Sequence, residues 1–172
     1  KCEDILVDYI YFPRQFSMAN DLVEDNFDVA LIGVKSEMND ANPGSATAPD
    51  AIRRQLYPLR GGFGNIRIKD LGNLKKGKCL ADTYAALRDV ANELLSMNVI
   101  PVIIGGSHEL TLPLFEAMKG KLHEIRTTIV DRKMDYPFSP SDVFDANAFI
   151  DRLMNDSCSE GFKLLAYQGY YC

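Results

Sequence analysis

Four side chains in the middle of this sequence have the types and spacing to do chemistry: His108, Asp131, Lys133 and Asp135. His108 stands in "VIIGGSHELTLPLF", just past an apolar run that ends in Gly105 and Gly106. Two glycines there permit a tight turn and a close backbone approach, which brings the imidazole to the rim where strands end. Alone, a histidine so placed suits a ligand or a structural role equally well. Asp131, Lys133 and Asp135, in "TTIVDRKMDY", lie two residues apart each, and an extended backbone points all three to one face. Neighbouring carboxylates repel each other and cost desolvation, so this pair needs a cation. A metal ion would serve, and so would the Lys133 ammonium itself.

Positioning these groups requires a parallel sheet. Five apolar runs are expected as strands: residues 28–34 ("DVALIGV"), 65–72, 99–106, 126–131 and 162–169. They are rich in Val, Ile and Leu and mostly continuous, the pattern of strands covered on both faces. Between them, "LADTYAALRDVANELLSM" places Leu80, Tyr84, Leu87, Val90, Ala91, Leu94 and Leu95 on one helical face. "APDAIRRQLYPL" starts a helix with Pro49 at its first position and Asp50 near the positive end of the dipole. A third helix follows His108 and stops near Gly120; a fourth, "DANAFIDRLMND", has Asp145 as N-cap and Phe149, Ile150, Leu153 and Met154 on one side. The order β-α-β-α-β-α-β-α-β predicts a single α/β domain, a three-layer α/β/α sandwich with a mainly parallel sheet. Residues 1–27 form an N-terminal arm whose aromatics pack on the domain or on a neighbouring subunit.

The loop "KSEMNDANPGSATAP" (35–49) leaves the first strand at its C-terminal end, where open parallel sheets bind ligands. Asn42 and Gly44 make it a candidate substrate-facing loop, with a plain surface connection as the other reading. "RGGFGN" (60–65) precedes a strand, whereas a phosphate cradle joins a strand to a helix, which speaks against a nucleotide. A net charge of -5 over 172 residues argues against nucleic acid or an anionic membrane as partner. The basic pairs Arg53/Arg54 and Lys75/Lys76 are expected on the solvated surface. No apolar run approaches the ~18 residues of a membrane span, and the N-terminus has acids where a signal peptide is basic, so the expected location is cytoplasmic. Cys2, Cys79, Cys158 and Cys172 are scattered and are expected as reduced thiols. His123 is expected on the surface, and Met97, Met118 and Met154 as core filler.

"GGSHELTLP" followed by "VDxxxD" resembles the ureohydrolase superfamily of arginase, agmatinase and formimidoylglutamase, with its GG-x-H and D-A-H-x-D motifs. "ALIGV", "NPGSATAPDAIRRQLYPL" and "DLGNL" support the likeness, which extends over roughly residues 28 to 135. It implies an arginase-like fold and a pair of Mn2+ ions sharing a hydroxide that attacks a guanidino or formimino carbon. Carried over, His108, Asp131 and Asp135 match metal ligands, and Asp131 would bridge both ions. No residue is assigned a catalytic role.

Two departures qualify this implication. Lys133 stands where the family has the central histidine of D-A-H-x-D; an ammonium has no lone pair to give and repels a second cation. Ser107 replaces the acid often found before the histidine, where it would support the ligand. The family's later S-x-D-x-D aspartates have no match, which identifies the chain as resembling an N-terminal, truncated portion. The resemblance also implies that two later strands lie between the third and fourth strands here. The sequence would then close the gap by pairing those two strands directly, or by dimerising or swapping strands, so a homo-oligomer is expected. Two functions follow: a Mn2+-dependent C-N hydrolase with an impaired metal site, and a non-catalytic relative in which Lys133 replaces the second metal and the pocket binds a ligand or partner. The lysine favours the second for this chain.

Overall fold

The computed structural model describes residues 10–11, 26–36, 43–58, 66–132 and 149–168. They form six strands, β1 (Ile10–Tyr11), β2 (Val29–Val34), β3 (Ile68–Leu74), β4 (Ile100–Gly105), β5 (Ile125–Val130) and β6 (Ser159–Leu165). Four helices accompany them, α1 (Ala48–Leu56), α2 (Leu80–Ser96), α3 (Thr111–Lys119) and α4 (Phe149–Asn155). The predicted alternation holds, and the fold is α/β with mainly parallel strands. The chain divides into two compact units, Lys1–Ser107 and His108–Cys172.

In the first unit the sheet order is β1-β3-β2-β4. β2 is central and parallel to both neighbours, running in unbroken register with β4 from Val29↔Ile100 to Val34↔Gly105. Its Ala30, Ile32 and Val34 are buried, as its continuous apolar run predicts. α2 buries Thr83, Ala86, Leu87, Val90, Ala91 and Leu94, a face rotated slightly from the expected one, with Leu80, Tyr84 and Leu95 at its margin. It begins at Cys79, whose backbone N–H donates to the Asp82 carboxylate, and its C-terminus is followed by Asn98 in the left-handed region, φ 57°. β1 was not expected: Ile10 and Tyr11 pair antiparallel with Leu74 and Asn73, so at least this part of the arm packs on its own domain.

The N–H of Ile100 donates to the Asp28 carbonyl, so the backbone of Pro101 and Ile103 faces the other edge of β4. Proline, with no N–H to offer, suits an edge that no described strand pairs with. Direct pairing of β4 with β5, one of the alternatives expected beside dimerising or swapping strands, is not seen among the described residues; β5 pairs with β6 in a two-stranded sheet.

In the second unit β5 and β6 are parallel, with Thr127↔Phe162 and Ile129↔Leu164 in register. One face packs on α3 and α4 through Leu112, Phe115, Ile125, Phe149, Ile150 and Leu153, joined by Met118, Ile129, Cys158 and Phe162. Lys119 ties α3 to the turn before β6 by a 2.6 Å ion pair with Asp156. The other face is exposed at Arg126, Thr128, Val130, Lys163 and Leu165. Coverage on both faces, expected of every strand, fails here because polar residues alternate with the apolar ones. Met97 and Met154 are exposed, against the expectation of core filler, because each follows or ends a helix on its outer side; His123 is exposed as expected. The described thiols, Cys79 and Cys158, are free. No helix among the described residues is long and apolar enough to cross a membrane.

Candidate functional site

His108 opens a 3-10 turn, His108–Leu110, whose next two residues, Glu109 and Leu110, are buried. Anchoring those two leaves the imidazole outward, with a side chain 53% exposed. Asp131 follows the last residue of β5, and its N–H still donates to the Leu165 carbonyl at 3.0 Å. The ladder thus fixes the carboxylate at the C-terminal rim of the sheet. His108 Nε2 and Asp131 Oδ2 stand 3.7 Å apart. Two donors each about 2.1 Å from one divalent ion lie about 3.0 Å apart at a right angle and about 3.6 Å apart at 120°. The pair fits the wide end of that range, so a small closure lets both grip one cation.

Lys133 and Asp135 lie outside the described residues, as does Asn42. Among the described residues no cluster of three or more His, Cys, Asp and Glu could hold a metal. The structure therefore brings together two of the proposed ligands. Gly44 adopts the left-handed conformation, φ 85°, and its carbonyl accepts from the N–H and hydroxyl of Thr47. Ser107 is half-buried in the bend after Gly106.

The glycine expected to permit close approach does so. A Cβ at position 106 would collide with the Ser36 carbonyl oxygen and lie 2.6 Å from that of Ser45. Gly106 thereby lets the loops after β2 and β4 meet, and Ser45 Oγ donates to the Ser36 carbonyl at the same place.

A second polar cluster in the first unit escaped the sequence reading. Arg53, expected on the surface beside Arg54, is buried: its Nε and Nη2 donate to Asp70 at 2.7 and 2.9 Å, Nη2 also donates to the Gly72 carbonyl, and Nη1 donates to Asn73. Gly33 leaves the space, since a Cβ there would overlap Asn73 Oδ1 and sit 2.7 Å from Arg53 Nη1. The Tyr57 hydroxyl donates to Asp70, and its pKa is pushed up to about 12, by desolvation first and by the Asp70 carboxylate second. Asp50 pairs with Lys35 at 2.6 Å and accepts from Asn73, and these two, Lys35 first, hold its carboxyl below the usual range. The available signal was Asp50 and Arg53 three apart on a helix, with the acid of "DLGN" on a strand end.

The arginase family model matches residues 27–141, 115 of the 172 residues. A formimidoylglutamase of Citrobacter koseri is 35% identical over 86 residues, 47% of this chain and 28% of that protein. A mitochondrial guanidino acid hydrolase of Rattus norvegicus is 29% identical over 104 residues, 55% of this chain and 30% of that protein. Among solved structures, a Trypanosoma cruzi formiminoglutamase with Mn2+ shares the fold at a TM-score of 0.73 and 20% identity, over 97% of this chain and 58% of that one. The chain thus spans under a third of the curated relatives' length and little more than half of the structural relative's. The GG-x-H turn, the aspartate at the end of β5 and the α/β frame that carries them fall inside the matched segment, and the chain belongs to the arginase family.

Proposed function

We propose that this chain descends from Mn2+-dependent hydrolases of the C-N bond in guanidino or formimino compounds, and that its metal centre is impaired at Lys133. The observation that carries the reading is the 3.7 Å approach of His108 Nε2 to Asp131 Oδ2 at a strand rim. A neutral imidazole offers one lone pair and the carboxylate two hard oxygens, a donor set suited to Mn2+, with Asp135 as the third ligand. Bound there, Mn2+ would lower the pKa of a coordinated water and supply a nucleophile at neutral pH. Asp131 would take that cation at the ladder end, and His108 would reach it from the 3-10 turn. Asn42 and Gly44, in the loop after β2, would face the substrate, with Ser107 supporting the ligand next to it. The edge of β4 that no described strand pairs with supports assembly with further copies of the chain, which sedimentation velocity measures.

Lys133 favours a second reading. Its ammonium, between Asp131 and Asp135 in the sequence, would neutralise them in place of a second metal, leaving a pocket that binds without turnover. Mn2+ titration with assay of urea or formamide release separates the two. Two ions per chain with release supports hydrolysis; substoichiometric metal without release supports the non-catalytic relative. His108→Ala should weaken Mn2+ binding more than about tenfold. Lys133→His should strengthen it, and unchanged affinity would show that Lys133 is not the obstacle.

A further inference from the structure

Nothing in the sequence gives Phe149 a role beyond the core, yet its ring meets the His108 imidazole edge to face, with centroids 5.9 Å apart and planes at 76°. The two residues differ sharply in freedom. The His108 side chain is 53% exposed, whereas Phe149 is 2% exposed, packed with Leu112, Phe115, Ile125, Ile150 and Leu153. α4, which carries Phe149, is itself fixed by Ile150 and Leu153, each 1% exposed. A half-exposed imidazole on a short turn samples several rotamers unless something rigid limits them. Glu109 and Leu110 are buried and fix the backbone of the turn, and the Phe149 ring lies against the imidazole itself. An edge-to-face pair of this geometry is worth about a two- to tenfold shift in the population of one ring orientation.

We propose that Phe149 is a positioning residue: it holds the His108 ring in the orientation that turns Nε2 toward Asp131 Oδ2. The assignment rests on the reading of His108 and Asp131 as metal ligands for its consequence, though not for its geometry. A ring held in advance loses less rotamer freedom when a cation arrives, so removing the Phe149 face weakens binding even where every ligand is intact.

The test uses the full chain. In the unaltered protein, nuclear Overhauser effects connect the ring protons of His108 and Phe149. Phe149→Leu shifts the His108 ring-proton resonances and weakens Mn2+ binding about three- to tenfold by calorimetric titration. Leu153→Ala, in the same core but away from the imidazole, lowers the melting temperature at least as far while leaving the ring resonances in place and Mn2+ affinity within about twofold. Absence of the ring-to-ring effect in the unaltered chain overturns the proposal without any variant having to fold. So does a Phe149→Leu chain with unshifted resonances and unchanged affinity, or a Leu153→Ala chain that loses as much affinity. If the unaltered chain takes up no Mn2+, the metal reading falls by itself, and the ring contact and its resonance shift still decide the role of Phe149.

Discussion

In the first unit β2 buries Ala30, Ile32 and Val34 to 1% exposure or less, while in the second β5 ends in Val130 at 72% and β6 in Leu165 at 50%. β2 runs parallel to both of its neighbours and β5 runs parallel to β6, and parallel pairing is normally covered on both faces. The first unit can therefore place a polar network inside: Arg53 and Asp70 have side chains only 6% exposed. The second has a cross-strand ion pair in contact with water, Arg126 at 77% and Glu160 at 38%. Of the two cation-binding candidates, Asp131 follows the last residue of β5 and His108 opens the 3-10 turn before α3. The first unit thus adds desolvated charge to its apolar core, whereas the second relies on one apolar face.

The largest effect follows from that contrast. Arg53→Met removes one partner of a desolvated pair and strands the Asp70 carboxylate against the Gly72 and Asn73 segment. The expected loss is about 3–5 kcal/mol by urea unfolding. Hydrogen exchange should show β2, β3 and α1 losing protection first. A loss under about 1 kcal/mol would mean that water already reaches Asp70, and the contrast between the units would disappear.

That network shows why part of the molecule was hidden in the sequence. His108 and Asp131 were legible because a glycine pair and the end of an apolar run mark strand rims by local pattern alone. Arg53 was not, because its partner lies 17 residues away and its neighbour Arg54 is exposed, so the doublet reads as surface. The open face of β5 was obscured by composition: "RTTIV" counts as β-prone, yet Arg126, Thr128 and Val130 share one face and Thr127 and Ile129 the other. β1 was invisible because two residues carry no periodicity. Phe149 was read correctly as apolar and packed, but a ring contact with a residue 41 positions earlier is set only by tertiary placement.

In the second unit the matching large effect is apolar. Leu153→Ala opens a cavity in the cluster with Phe115 and Ile150 and should cost about 2–4 kcal/mol, with exchange protection falling in β5, β6 and α4. If β2 amides loosen as much as those of β5, the two units share one core and the comparison fails. A smaller change of opposite sign is expected at Ala166, which follows β6 with φ 62°. Glycine tolerates that conformation without a Cβ penalty, so Ala166→Gly should raise stability by about 0.5–1 kcal/mol. A destabilised variant would show that the Ala166 methyl contributes more by packing than the left-handed backbone costs.

The smallest effect concerns the exposed cross-strand pair of the second unit. A hydrogen bond from Arg126 holds the Glu160 carboxyl below its ordinary value of 4.5. Because the folded value is the lower one, the linked stabilisation is present above the unfolded value and is lost as pH falls through the folded value. Both groups are solvated, and screening leaves little of it. Arg126→Gln should move the melting temperature at pH 7 by less than about 2 °C, and the difference between variant and unaltered chain should shrink as pH falls below the ordinary carboxyl range. A large shift at pH 7 that persists in acid would not come from this ion pair. It would mean that the open face of β5 and β6 is covered in solution, with Arg126 buried beneath whatever covers it.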